Sequence, residues 1–330
     1  MPSISNFIKL VCKTLVLSLM ALNGLGVSAT EAVSAKLVAS EAVYVPRAVQ
    51  VAGPVYAIVG PLGQRSLANA GLNANYGFVL TAQGVILIDS GASSHSAALL
   101  ARAVKAVTPL PIRWVLNTGS QDHRWLGNAY FAGQGAEVHA MAVTVSTQKA
   151  SAFSQLESLK RFLGDQLQGT VPRHASIEHT GVDKTLEIGG VKLQWIVTNA
   201  HYPGDTLIHL PEHSVTFTGD LVYVDRLLSV LPQSNVRQAQ AAFGRLRALQ
   251  PRHVVPGHGR VTDITLATRE TGDYYAFLIN QVGHAARNME PMDETLNRLA
   301  RPAQFQHLQN FDELHRANMN RVFLDFEANP

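Results

Sequence analysis

His201, Asp220 and His258 each stand at the end of an apolar run, and imidazole nitrogen and carboxylate oxygen are donors that one divalent cation accepts together. His201 opens His201-Tyr202-Pro203-Gly204-Asp205 after Val191, Leu193, Trp195 and Val197, which alternate as the residues of a strand do. Asp220 closes Phe217-Thr218-Gly219-Asp220 after a second set, Leu207, Ile208 and Val215, and His258 lies in Pro256-Gly257-His258-Gly259 after Val254-Val255. Two earlier pieces share the pattern: Leu87-Ile88-Asp89-Ser90-Gly91 and Asn117-Thr118-Gly119-Ser120-Gln121-Asp122-His123. A turn explains any one of them alone, because His-Tyr-Pro-Gly and Gly-Asp are ordinary turn signals. All of them in order, each at the end of an apolar run, point to a metal site at a shared sheet edge.

The elements that must position these residues follow from the periodicity. Residues 55–59, 76–80 and 85–88 read as strands, the last two joined at Gln83-Gly84 into a hairpin that feeds Asp89. An aspartate there terminates a strand and, beside a metal site, orients a ligand. Residues 94–107 are helical by the spacing of Ala98, Leu99, Ala101 and Val104, with Ser93 or Ser94 as N-cap and Pro109 and Pro111 beyond the end. A buried strand over 112–116 delivers the Asn117 loop, a short helix starts at Gly127, and a strand over 137–140 carries His139 as a core histidine. Residues 145–167 form a helix that places Phe153, Leu156, Leu159, Phe162 and Leu163 on one side, and 235–249 form a second amphipathic helix. Residues 266–287 and 313–326 are helical, with 289–304 as a connection. The order β-β-β-α-β, repeated in the second half, predicts an α/β protein of two mixed sheets packed face to face with helices outside. Specificity falls to the loops at 60–71 and 223–234, the second lying over the site if Asp220 is a ligand.

At 330 residues, 46% hydrophobic and 15% charged, the chain has enough apolar surface for a substantial core. Residues 1–29 read as a secretory signal, with Lys9 and Lys13 before the run Leu15 to Leu22 and Val27-Ser28-Ala29 at the exit, so no stable membrane span remains after cleavage. Without that segment, which holds two of the 27 Lys and Arg and no acid, 25 basic residues face 24 acidic ones and give no electrostatic case for nucleic acid. Cys12, the one cysteine, lies inside it, so the mature chain has no thiol for disulfides, catalysis or metal ligation. Residues 30–50 read as a tail or linker, and 51–330 as one domain.

Taken together, Ile88-Asp89-Ser90-Gly91, Asn117-Thr118 through Gly127-Asn128, His201-Tyr202-Pro203-Gly204-Asp205, Gly219-Asp220 and Pro256-Gly257-His258-Gly259 resemble the metallo-β-lactamase superfamily over residues 51–326. The loop from Asn117 to Asn128 is most similar to the group called quinoprotein relay system zinc metallohydrolases. The resemblance implies a four-layer αββα sandwich and a secreted or periplasmic zinc hydrolase acting on a small ester, thioester, lactone or amide. Through the subgroup it implies a periplasmic partner in a PQQ-dependent dehydrogenase system.

The superfamily carries His-x-His-x-Asp-His between its Asn-Thr and its Gly-Asn, and this chain departs from that. Matched without a gap, Gly119 and Gln121 fall at the first two histidines, His123 at the aspartate and Arg124 at the last histidine. A one-residue slip puts Asp122 and His123 on the Asp-His pair, with Thr118 and Ser120 opposite the first two. Arginine stays protonated and ligates no cation. Under either register the site built on those two histidines is lost or weakened, while the other keeps His123, Asp220 and His258, with Asp122 or His201 as a fourth ligand. That implies one zinc rather than two, lowering the pKa of one water. Asp122, if not a ligand, is the nearest proton acceptor. Gln121 is a weak ligand or substrate contact, Arg124 either clamps an anionic substrate group or pairs with an acid, and Asp89 matches the aspartate that holds a ligand in place. A non-catalytic accessory or binding protein is the competing reading, and β-lactam hydrolysis ranks below both.

Overall fold

A computed structural model describes residues 42–330, and the signal segment and most of the tail lie outside the described residues. Seven strands form the first sheet in sequential order: β1 (Ala48–Ala52), β2 (Val55–Ile58), β3 (Tyr76–Thr81), β4 (Gly84–Ile88), β5 (Ile112–Asn117), β6 (Glu137–Met141) and β7 (Ile177–His179). β1 to β4 pair antiparallel and β4 to β7 parallel, so the sheet is mixed. The second sheet holds β8 (Asp183–Ile188), β9 (Val191–Val197), β10 (Thr206–Leu210), β11 (Val215–Phe217) and β12 (His253–Val255), in the order β12-β11-β10-β9-β8. Its one parallel pair, β11 with β12, brings the ends that carry Asp220 and His258 side by side.

Side-chain alternation divides the core as the two-residue period requires. Ile86 and Ile88 of β4 face inward with Val79, Trp114 and Leu116 and meet Trp195, Ile208, Val215 and Phe217 of the second sheet. Val85 and Leu87 face outward onto Leu100 and Val104 of α1 (Ser94–Lys105). The second sheet is covered by α5 (Val236–Ala248), by the helical segment 264–287 (α6) and by α8 (Phe311–Ala328), through Phe243, Tyr274, Tyr275 and Phe326. Helix, sheet, sheet and helix make the αββα sandwich. Ser93 caps α1 with a full capping box, and Asn235 caps α5.

Three expectations change. Residues 30–50 are not all linker, since β1 pairs with β2 and Tyr44 donates to the Val59 carbonyl at 2.7 Å. Within 289–304 lies a short helix, α7 (Met292–Arg298). In α4 (Ala142–Leu163), Leu159 and Leu163 pack on Trp125, whereas Phe153 is 79% exposed, because it lies about a third of a turn round from Leu159. Among the described residues no helix is long and apolar enough to cross a membrane.

Candidate functional site

The site lies where β4, β5, β11 and β12 end. β5 runs straight into the loop 118–121 and the single-turn helix α2 (Asp122–Trp125), so four consecutive buried side chains, Asp122, His123, Arg124 and Trp125, leave the backbone in four directions. His123 points to Asp220, its Nε2 at 3.0 Å from Oδ2. His258 approaches the same carboxylate, Nε2 at 3.3 Å from Oδ1. One donor atom from each of His123, Asp220 and His258 lies within 4.8 Å of the others, the only group of this kind among the described residues. Gly257 permits the approach: a Cβ there would stand 2.4 Å from the Gly219 carbonyl oxygen and 2.8 Å from Asp220 Oδ1.

The donor set fits one cation, and the ring contacts say how. His258 Nδ1 faces the Asn73 carbonyl oxygen at 2.8 Å, and a carbonyl only accepts, so the ring proton of the neutral imidazole sits on Nδ1. Burial holds His258 neutral, its pKa pushed down to about 3, opposed by the Asp220 carboxylate, which would accept a bond from the protonated ring, and helped by Arg226. Its Nε2 lone pair therefore faces a carboxylate lone pair, an arrangement that a cation relieves. His123 differs: Arg65 Nη2 lies 2.7 Å from its Nδ1 and only donates, which leaves the proton on Nε2, bonded to Asp220. Were His123 to hold a cation through Nε2, its ring proton would sit on Nδ1 and be donated to Asp122 Oδ1, now 3.1 Å away, and Arg65 Nη2 would have to move off Nδ1.

Arg124 settles its own alternative by pairing with acids, and it uses every donor it has. Nη1 donates to the Asn75 carbonyl (2.9 Å) and Asp89 Oδ2 (3.0 Å); Nη2 donates to Asp220 Oδ1 (2.5 Å) and the Gly257 carbonyl (3.4 Å); Nε donates to Asp220 Oδ2 (3.4 Å). Burial alone would raise the Asp220 pKa, but Arg124, then His123, hold it well below the usual carboxylate range. Asp89, at φ +64°, also accepts the Thr118 amide at 2.7 Å and the Thr118 hydroxyl at 2.6 Å, so it supports the loop and Arg124 rather than a histidine. Gly119 makes room for this arrangement: a Cβ there would lie 2.7 Å from Asp205 Oδ1 and 3.3 Å from Arg124 Cγ.

Three expected members stand apart from the group of three. Asp122 is bound by Arg65 at 2.5 Å and by the His123 amide at 2.7 Å, and although burial raises its pKa, Arg65 and His123 bring it below the usual value. Its oxygens lie on the far side of the His123 ring from Asp220, which corrects its reading as a ligand or as the proton acceptor for the attacking water. His201 is buried, its pKa pushed down to about 4 chiefly by burial, and its Nε2 meets Tyr223 Oη at 3.4 Å instead of Asp220. Gln121 stands at the N-cap position of α2 without a capping side-chain bond, and its buried Oε1 has no partner. The loop from Tyr223 does lie over the site, with the Tyr223 ring stacked on His258 at 4.6 Å. Arg65 and Arg226 were missed, since arginines in loops without a motif carry no positional signal.

A family model described as the metallo-beta-lactamase superfamily matches residues 70–258. A metallo-beta-lactamase from Pontibacter korlensis superposes with TM-score 0.56 at 19% identity, over 70% of this chain and 99% of that one. The DIM-1 metallo-beta-lactamase gives TM-score 0.55 at 17% identity, over 70% and 97%. The sec-alkylsulfatase Pisa1 from Pseudomonas sp. gives TM-score 0.68 at 15% identity, over 86% of this chain but 51% of the sulfatase. At these identities the superpositions speak for the fold. The family match spans more than half of the chain and includes Asp89, His201, Asp220 and His258. The chain belongs to the metallo-β-lactamase superfamily.

Proposed function

We propose that this chain is a hydrolase using one zinc ion held by His123, Asp220 and His258 against a small ester, thioester, lactone or amide. The convergence of those three donors within 4.8 Å carries the reading. A bound zinc would supply a water of lowered pKa and polarise the scissile carbonyl. The chain's own residues do the rest: Asn73 and Asp122 fix the two imidazoles from behind, Arg124 keeps Asp220 ionised, and Tyr223 seals His258 from solvent. Gly119 and Gln121 provide no imidazole for a second ion, which also ranks β-lactam hydrolysis lower. Export, and a place beside a periplasmic quinone-cofactor dehydrogenase system, belong to the same proposal on the strength of residues 1–29 and the Asn117 loop alone.

The pairing of Arg124 with Asp220 favours a second reading, an accessory protein without metal, because a guanidinium already supplies the cation that this carboxylate needs. Metal analysis separates the two. About one zinc per chain is expected in purified protein, lost on His258→Ala and largely kept on Gln121→Ala. A metal-free protein that takes up no zinc on addition would establish the accessory role.

A further inference from the structure

Arg226 is 4% exposed and has no carboxylate within 4.0 Å among the described residues. Its contacts are neutral. Nη1 donates to the Gly63 carbonyl at 3.2 Å, and Nη2 donates at 3.2 Å to the Asn310 amide oxygen, with that amide turned to face it. Its Nε is buried without a partner. A guanidinium taken out of water without a counter-charge costs several kcal/mol, so such a residue is retained where something else compensates it.

The position of Arg226 indicates what that is. Its guanidinium carbon lies 5.9 Å from the centre of the Tyr223 ring, which is stacked on His258, and its charge depresses the pKa of both His258 and His201. Arg65 reaches the same place from the loop 60–71: it bonds Asp122 and His123 through Nη2, leaves its own buried Nε unpartnered, and is near enough to lower the Arg226 pKa. With a side chain 23% exposed, Arg65 is the part of this cluster that meets solvent. Arg65 and Arg124 are paired with Asp122, Asp89 and Asp220, whereas Arg226 is in no ion pair among the described residues. An anion at its free Nε would supply the missing counter-charge whether or not a metal is bound.

We propose that Arg226, with Arg65 beside it, binds the oxyanion group of an anionic substrate, so that this chain acts on esters or amides bearing a sulfate, phosphate or carboxylate group. This deepens the hydrolase reading and rests on it for the word substrate, but binding of the anion itself does not require the metal. The two free Nε donors and the unpaired charge define the subsite.

The test is calorimetric titration of inorganic sulfate, phosphate and acetate into full-length mature protein, as purified and after chelation, at millimolar concentration and constant ionic strength. These conditions exclude the general stabilisation that concentrated sulfate gives any protein. Saturable binding of at least one anion to the chelated protein is expected, with affinity lowered at least tenfold by Arg226→Met. Thermal unfolding should show a shift with that anion in wild type and none in the variant. If Arg226→Met does not fold, Arg226→Lys decides, because it keeps the charge but loses the free Nε donor. Undiminished affinity in Arg226→Lys, no saturable binding by wild type, or binding only in metal-loaded protein that Arg226→Met retains, each overturns the subsite. Zinc content is read separately, so an anion site without zinc would sink the hydrolase reading and leave the subsite standing.

Discussion

At the scale of single residues, Arg124 is the largest departure from the family's metal-binding loop and the most heavily bonded side chain of the site. Five N–H groups meet five acceptors, among them two buried carboxylates. Arg124→Met strips the counter-charge from Asp89 and Asp220 and should destabilise the fold by roughly 3–5 kcal/mol, the cost of breaking a buried pair from one side. Because Asp220 then lacks a cation, added zinc should raise the unfolding midpoint of the variant by more than it raises that of wild type. Urea unfolding with and without zinc checks this, and equal zinc effects on both proteins would contradict it. Asp220 and His258 were legible because they closely follow the apolar strands β11 and β12, and His123 because it lies in the polar stretch that β5 delivers. The orientation of Asp122 was not, since Arg65, which turns it, lies 57 residues away in sequence.

Elements decide whether those residues meet. β11 and β12 run parallel with Phe217 opposite Val255, and the turns that follow touch through Gly219 and Gly257. Gly257→Ala would drive a methyl group into the Gly219 carbonyl and push Asp220 from His258. Zinc affinity should fall by roughly 10–100 fold, the range for a displaced outer support, with little change in far-UV circular dichroism. Competition with a chromophoric chelator measures it, and unchanged affinity would show that the turn has slack. Most strands could be read either from period-two alternation, as in Val191 to Trp195, or from a short continuous apolar run, as in Val85 to Ile88. β1 could not, because Ala48–Ala52 sits in an Ala- and Val-rich stretch with no turn before it and becomes a strand only by pairing with β2. β7 is three residues long and takes its register from β6.

For the whole molecule, the charge distribution sets the response to acid. His139, His174, His179, His209 and His315, all remote from the site, have pKa values lowered mainly by burial. A folded pKa below the ordinary value of about 6.5 means that the unfolded chain takes up more protons below that pH. Stability from these groups is complete above about pH 6.5 and is lost as pH falls through it. Asp122 and Asp220, both lowered, lose theirs only below the ordinary carboxylate range, and Asp89 and Asp205, both raised, oppose these five histidines and the two lowered ones of the site, His201 and His258. Urea midpoints of chelated protein should therefore be lower at pH 5 than at pH 7.5, with the slope unchanged. A higher midpoint at pH 5 would mean that the raised carboxyls dominate.

The gap at Gly119 bears on how such a site could change over time. A side chain there would run into Asp205 and Arg124, so introducing histidine at 119 alone meets a steric barrier. Exchanging Arg124 alone strands two buried carboxylates. Neither change relieves the other, since the nearer obstacle at 119 is Asp205 and the charge lost with Arg124 is not replaced by a side chain at 119, so the pocket sits behind a fitness valley that a second metal site would have to cross through several coordinated changes.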